Sequence, residues 1–359
     1  MTVDPAFKAA VDSGTGDHVG FVHLDLKSYM RWTLDLSKAM QDPSGTPGVG
    51  MSEALLGIFP DWAAGRLRFE GDALVLDGVA PHVAAMPGPT ENRRSTIAQH
   101  LPPTTIALFE ANDYGKTLLD ALDLYRSEPS LAPYLTQLDQ AIGLVGGAPG
   151  AVGWIGDTGF VVNRTGTGVE GGIVIVPTDA EAGRRFMTTL RSLVVLGGGQ
   201  AGVTVRDEEH AGATITVIDV GDASQLLGLF SGVATPAPID AAGRVELAYV
   251  VTDSIAVIGS SPAFVKHILD TQAEPSLASD DRFEAILKRV GESGTSLGFV
   301  DLASIRELVE GLALAELPAG MKATYEKEYR PFLAPFDLIV TTTVLGDGID
   351  TSRMLITVK

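Results

Sequence analysis

The sequence predicts an α+β protein built as two related units of curved, mostly antiparallel β-sheet, each with amphipathic helices packed on one side. Three observations predict it. Short runs of alternating apolar and polar residues come in pairs around compact turns, which is the hairpin pattern. Segments with apolar residues at i, i+3, i+4 and i+7 lie between those pairs and read as helices. The order of elements near the start of the chain also returns near its end.

The clearest stretch is Arg244 to Thr271. Leu247, Tyr249 and Val251 alternate with Ala248 and Val250, and Ile255 and Val257 alternate with Ala256 and Ile258, around a Thr252-Asp253-Ser254 turn. Ser261 is placed to cap the helix that follows, and Pro262 takes its first position, where a missing N–H is harmless.

From the start, Asp4-Pro5 opens a short helix carrying Phe7, Ala10 and Val11. Gly20–Leu26 alternates like a strand, and a helix follows from about Lys27 to Met40 with Tyr29, Trp32 and Leu36. Residues 42–50 are a loop by composition. A hairpin from Arg66 to Val79 turns at Gly71-Asp72, and Met86 to Arg94 is a polar linker and the first plausible boundary. Thr105–Ala111 is a strand leading into helices with Leu118, Leu119 and Leu122, then Leu135, Leu138 and Ile142. Ala151–Val162 reads as a hairpin turning at Gly156–Gly159. Ile173–Val176 feeds a helix with a Thr178/Glu181 capping box and Phe186, Leu190 and Leu193 on one side. Val203–Val217 is a hairpin with Asp207–His210 at its bend, followed by a short helix near Leu226–Phe230 and an A-T-P-A-P linker. Phe283, Ile286, Leu287 and Val290 mark a strong helix, Leu297–Leu302 a strand, and Leu338–Val358 a last hairpin turning at Gly346-Asp347-Gly348.

The 359 residues are 45% hydrophobic, enough for a large core. A net charge of -19 with no Lys/Arg clusters argues against nucleic acid and against an anionic membrane surface. The chain has no cysteine, which excludes disulfides, thiolate metal sites and Cys nucleophiles together. No apolar run reaches the length of a membrane span, because Leu193–Leu196 is cut by Gly197-Gly198-Gly199.

The repeat is visible in two places. Residues 4–26 (D-P-A-F-K-A-A-V … G-F-V-H-L-D-L) resemble 281–302 (D-R-F-E-A-I-L … G-F-V-D-L). In both, a helix led by Phe7 or Phe283 precedes a Gly-Phe-Val strand ending in Asp25 or Asp301, and the segment closes on a Gly-Asp hairpin. Residues 1–95 thus read as the C-terminal half of a first unit, 96–275 as the N-terminal part of a second, and 276–359 as its C-terminal half. The expectation is a trimmed or processed start at Met1.

The runs L-P-P-T-T-I-A-L-F-E-A-N-D-Y-G-K-T-L, Y-V-V-T-D-S-I-A-V-I-G-S-S-P and S-L-A-S-D-D-R-F-E-A-I-L, in this order, resemble the bacterial domain-of-unknown-function family numbered 3352. The resemblance covers about 100–310, and 1–95 through the repeat. It implies an extracytoplasmic protein held by an N-terminal membrane anchor. The family has no established activity, so the resemblance carries no site residue.

Candidate chemistry reduces to a few motifs. Tyr114-Gly115-Lys116-Thr117 follows a strand, but a P-loop needs Gly where Glu110 stands, and a helix start explains it. Gly166-Thr167-Gly168-Val169-Glu170-Gly171 matches G-x-G-x-x-G yet leads into a strand, so it reads as a turn. His18, His23, His82, His100, His210 and His267 lack metal-ligand spacing, with His210 beside Glu208 and Glu209 the nearest approach. Asp347 and Asp350 lack further ligands for calcium. Gly259-Ser260-Ser261 lacks the nucleophile-elbow pattern. The sequence therefore assigns no catalytic, cofactor or metal residue.

One feature points to binding. Strands 173–176, 247–251 and 255–258 are apolar on both faces, and each face needs a cover. More protein is one cover, and a greasy ligand in a sheet-and-helix cleft is another. The reading is a non-catalytic extracytoplasmic binding or scaffold module with an unidentified protein or cell-envelope partner. The alternatives are a carrier of a lipid or other apolar ligand and, last, a hydrolase with an unrecognised site.

Overall fold

The computed structural model describes residues 4–13, 17–40, 56–128, 131–166, 168–198, 202–222, 244–271 and 275–359. In chain order the first segment holds α1 (Pro5–Asp12), β1 (Gly20–Asp25), α2 (Leu26–Met40), β2 (Trp62–Glu70) and β3 (Ala73–Pro81). The middle holds β4 (Thr105–Ala111), α3 (Tyr114–Arg126), α4 (Ala132–Ile142), α5 (Gly147–Val152), β5 (Ile155–Arg164), β6 (Val169–Pro177) and α6 (Ala180–Gly198). It continues with β7 (Thr204–His210), β8 (Ala213–Asp222), β9 (Arg244–Val251), β10 (Ala256–Gly259) and α7 (Pro262–Asp270). The last segment holds α8 (Asp281–Val290), β11 (Ser296–Asp301), α9 (Leu302–Glu316), α10 (Ala319–Thr324), α11 (Arg330–Leu333), β12 (Phe336–Val344) and β13 (Ile349–Val358).

The strands form one open, antiparallel 13-stranded sheet in the order β1-β2-β3-β13-β12-β11-β4-β5-β6-β10-β9-β8-β7. The α+β class and the antiparallel sheet agree with the sequence. Local hairpins are joined edge to edge by the long-range pairs β3–β13, β11–β4 and β6–β10.

Successive residues of a strand face opposite sides, and that alternation separates two packed layers. Val174 and Val257 join Phe264, Val265, Ile268 and Leu269 of α7 and Phe283, Ile286 and Val290 of α8 in the main core. Their neighbours Ile175 and Ala256 pack against Trp154 and Phe186, the latter on α6. Helices therefore lie on both faces, where the sequence analysis expects one. The cause is the two-sided apolar character of β6, β9 and β10: each face sheds water only when a helix covers it.

The Ser261 hydroxyl accepts the Phe264 N–H at 3.1 Å, and Pro262 opens α7 as expected. The Phe264 ring lies against glycine. A Cβ at Gly172 would fall 2.5 Å from Cε1 of that ring, and one at Gly259 would fall 2.7 Å from its Cδ1. Bare backbone on β6 and β10 lets the ring seat deeply, a burial worth about 2–3 kcal/mol.

The first and last segments both run helix, strand, helix and hairpin, with α10 and α11 added before the hairpin in the last segment. Asp25 caps α2 by accepting the Ser28 N–H at 2.9 Å, and Asp301 caps α9 by accepting the Ser304 N–H at 2.9 Å. Asp25 stands opposite Trp62, and Asp301 opposite Leu338. Phe7 meets Phe21 edge-on at 5.8 Å, and Phe283 meets Phe299 edge-on at 5.1 Å.

Several local expectations change. No hairpin turns at Gly156–Gly159; β5 runs straight through it, because Asp157 is bound by neighbours and stays inside the sheet. The β7–β8 turn is Ala211-Gly212, both at positive φ, so Asp207–His210 lie in the edge strand and not at the bend. Asp179, one residue after Thr178, accepts the Ala182 N–H at the start of α6. Met86–Arg94 is stitched to the sheet, with Arg93 and Gly294 exchanging backbone hydrogen bonds at 3.0 Å. The expected loop 42–50, the short helix near Leu226–Phe230 and the A-T-P-A-P linker lie outside the described residues.

Candidate functional site

The motifs singled out by sequence resolve into structural roles. Tyr114–Thr117 opens α3, with Lys116 paired to Asp120 and Gly115 buried against the α5–β5 junction. Gly166 and Gly168 flank the β5–β6 turn, where the Thr165 N–H reaches the Gly168 carbonyl at 2.9 Å. Ser260 exchanges hydrogen bonds with Gly171, its hydroxyl accepting the Gly171 N–H at 3.1 Å, and Ser261 caps α7. Among the described residues neither hydroxyl is hydrogen-bonded to a histidine.

The histidines are dispersed. His210 pairs with Asp270 at 2.6 Å, His267 with the buried Glu170, and His82 with Asp350 at 3.0 Å. His23 lies 5.8 Å from the Trp62 ring and His18 6.0 Å from Phe21. Burial pushes the His100 ring below its ordinary pKa, favouring the neutral form. Asp350 also accepts the Gly346 N–H, which closes the last hairpin. Among the described residues no group of three or more His, Cys, Asp or Glu could hold a metal ion.

Sequence reasoning missed one polar cluster. Arg93, from the linker, bridges Asp113 at 2.7 Å and Asp157, while the Thr96 hydroxyl donates to Asp157 at 2.7 Å. Beside it, buried Glu110 accepts from the Ser95 hydroxyl, the Thr96 N–H at 3.0 Å and the Ile97 N–H at 3.4 Å. Burial raises the Glu110 carboxyl above its ordinary pKa of 4.5 in spite of those donors, and the nearby Asp157 charge adds to the rise. The available signal was a lone carboxylate in T-I-A-L-F-E-A. The space beside this cluster is only about 20 Å³, so it ties the linker to the sheet and offers no room for a substrate.

A larger cleft of about 570 Å³ opens between α1 and α8 over β2, β3 and β13. Arg68 holds one Asp77 oxygen at 3.0 Å and Arg353 the other at 2.7 Å. Burial would raise the Asp77 carboxyl, but the two guanidinium groups hold it below its ordinary 3.8. Arg66 donates to the Ala10 and Val11 carbonyls at 2.6 and 2.5 Å. These cations are committed to binding the sheet and α1 together.

The face opposite α7 and α8 differs in character. In direct cross-strand register, Leu67, Leu76, Met354, Thr341, Gly298, Phe109, Phe160, Ile173, Ile258 and Tyr249 run from β2 to β9. α6 covers the β6–β10–β9 end, where the Tyr249 hydroxyl donates to the Met187 carbonyl at 3.4 Å. Toward the middle the cover thins: Phe109 is 54% exposed and Phe160 44%. α9 stands over the same face, with Glu307 reaching Arg164 at 2.9 Å, yet its Val309 and Leu312 are exposed. The two-sided apolar strands named by the sequence are mostly covered by protein, with Leu247 left 39% exposed, while Phe109 on β4 and Phe160 on β5 stay open on this face.

A scan of family models, a search of curated proteins and a search of solved structures each found no match to this chain.

Proposed function

We propose that this chain is a non-catalytic binding module and that its binding surface is the apolar face of the sheet centred on Phe109 and Phe160. The exposure of those two rings carries the reading. Covering the open half of one such ring, about 100 Å², would contribute ~2.5 kcal/mol to a complex. The commitment of the polar groups described above to partners within the protein supports a role without catalysis. Placement outside the cytoplasm, with tethering to the cell envelope, rests on the resemblance of residues 100–310 to family 3352. Residues 1–95 and 276–359 are read as copies of one half-unit, supported by the shared element order and the paired caps Asp25 and Asp301. Residues 96–275 then form the remainder of the second unit.

A second reading, a carrier of a lipid or other apolar ligand, draws on the same rings and the exposed Val309 and Leu312 above them. Native mass spectrometry after organic extraction separates the two: a co-purifying lipid favours the carrier, and its absence removes that reading. For the surface itself, the apolar dye 1-anilinonaphthalene-8-sulfonate is the probe. Replacing both Phe109 and Phe160 by Ser is expected to leave the fold intact and to remove most of the dye fluorescence. Undiminished fluorescence from the folded double variant would reject this face as the binding surface.

A further inference from the structure

The cleft between α1 and α8 holds an excess of hydrogen-bond donors. Its floor crosses three strands, with Arg66 of β2 opposite Asp77 of β3, and Asp77 opposite Arg353 of β13. Direct cross-strand partners face the same side of a sheet, and Arg68, two residues from Arg66, faces that side as well. Three guanidinium groups therefore surround one carboxylate on the floor, a surplus of two positive charges in a protein of net charge -19. The other acids lining the cleft, Asp17 and Glu70, are exposed, where water screens them. The polarity is local: two residues along the same strands, Val75 stands opposite Leu355, and both are fully buried in the main core.

The carboxylate on this floor is saturated while donors remain. Asp77 takes Nε of Arg68 on one oxygen and Nε of Arg353 on the other. Each guanidinium carries five N–H donors in a rigid plane. Among the described residues Arg68 uses one further nitrogen, Nη1, on Glu70, and the two terminal nitrogens of Arg353 donate to no protein group. Asp77 thus fixes both side chains by their inner nitrogens and leaves outer ones for a ligand.

We propose that this cleft binds a small organic anion whose phosphate or carboxylate group sits among Arg66, Arg68 and Arg353. Planar guanidinium forks match the paired oxygens of such groups, and charge-assisted hydrogen bonds are the stronger class. The cleft volume, about 570 Å³, falls in the range of small-molecule sites and leaves room for a body beyond the anionic head. Phe109 and Phe160 lie on the other face of the sheet, so failure of either reading leaves the other standing.

The test uses the full chain, titrated calorimetrically at low ionic strength with inorganic phosphate and, separately, with citrate. Saturable binding of at least one is expected; phosphate alone marks a phosphorylated ligand, and citrate alone a carboxylate. Arg353→Gln removes one fork and is expected to weaken binding about tenfold or more, the worth of one charge-assisted hydrogen bond. Thr351→Asp, at an exposed position on the cleft wall two residues from Arg353, leaves every ion pair in place and is expected to weaken binding as much by repulsion. Arg164→Gln, on the opposite face, is expected to change nothing. Absence of binding by both probes, or a folded Arg353→Gln or Thr351→Asp variant that binds as the parent does, overturns the proposal. Equal weakening by Arg164→Gln overturns it too, since the attraction then belongs to no one site.

Discussion

Glu110 offers a test in which charge and hydrogen bonding can be separated. Its carboxylate is buried, accepts from Ser95, Thr96 and Ile97, and has its pKa raised by burial. Glu110→Ala removes the acceptor and leaves the Thr96 and Ile97 N–H groups without it. At roughly 1–3 kcal/mol for each buried donor left unpaired, discounted for the long Ile97 contact, the expected cost is about 3 kcal/mol. Glu110→Gln keeps an acceptor for both N–H groups and can donate to the Ser95 hydroxyl, so it should stay within about 1 kcal/mol of the parent. The pH dependence follows from the direction of the shift. A carboxyl whose folded pKa lies above its ordinary 4.5 contributes stability that is fully present below 4.5 and is lost as pH rises through the folded value. Urea unfolding followed by fluorescence of buried Trp154, from pH 4 upward, should therefore show the parent losing ground to the Gln variant through that window, then holding a constant gap. Gln as costly as Ala at neutral pH, or a gap that does not change with pH, would refute this account of the cluster.

Other outcomes follow from single contacts. Arg282 binds Asp301 and Asp337, both at 2.6 Å, and is itself 40% exposed; Arg282→Ala should cost about 2 kcal/mol at neutral pH, less than a fully buried pair because water screens it. Burial would raise the Asp301 carboxyl, but Arg282 and Ser304 hold it below 3.8, so this contribution is present above 3.8 and disappears as pH falls through the folded value. Acid titrations of parent and variant stability should converge at the low end, and parallel curves would contradict the pairing. Ser261→Ala removes the cap of α7 and should lower stability by about 1 kcal/mol in the same urea assay, whereas Ser260→Ala should spare the helix.

Local structure was largely legible in the sequence. The hairpin and helix of Arg244–Thr271 form with the predicted turn, cap and apolar spacing, because each depends on residues only a few positions apart. The hairpins at Gly71-Asp72 and Gly346–Gly348 form for the same reason. Misplaced features share a cause. Asp157 and Asp207–His210 carry residues that favour turns, yet contacts from distant segments hold them in strands. The candidate surface was half legible: two-sided apolar strands were visible, but which faces stay uncovered depended on where α6 and α9 came to rest.

The sequence by itself determined the strand alternation, the Ser261 cap of α7 and the absence of thiol chemistry. Tertiary structure alone decided that β3 pairs with β13, β11 with β4, and β6 with β10, so that every hairpin merges into one sheet. The physical reason is that backbone hydrogen bonds between strands are nearly indifferent to side-chain identity. Joining distant strands is selected by which apolar faces can be buried together, and that also leaves β1 at one edge and Phe109 and Phe160 facing outward.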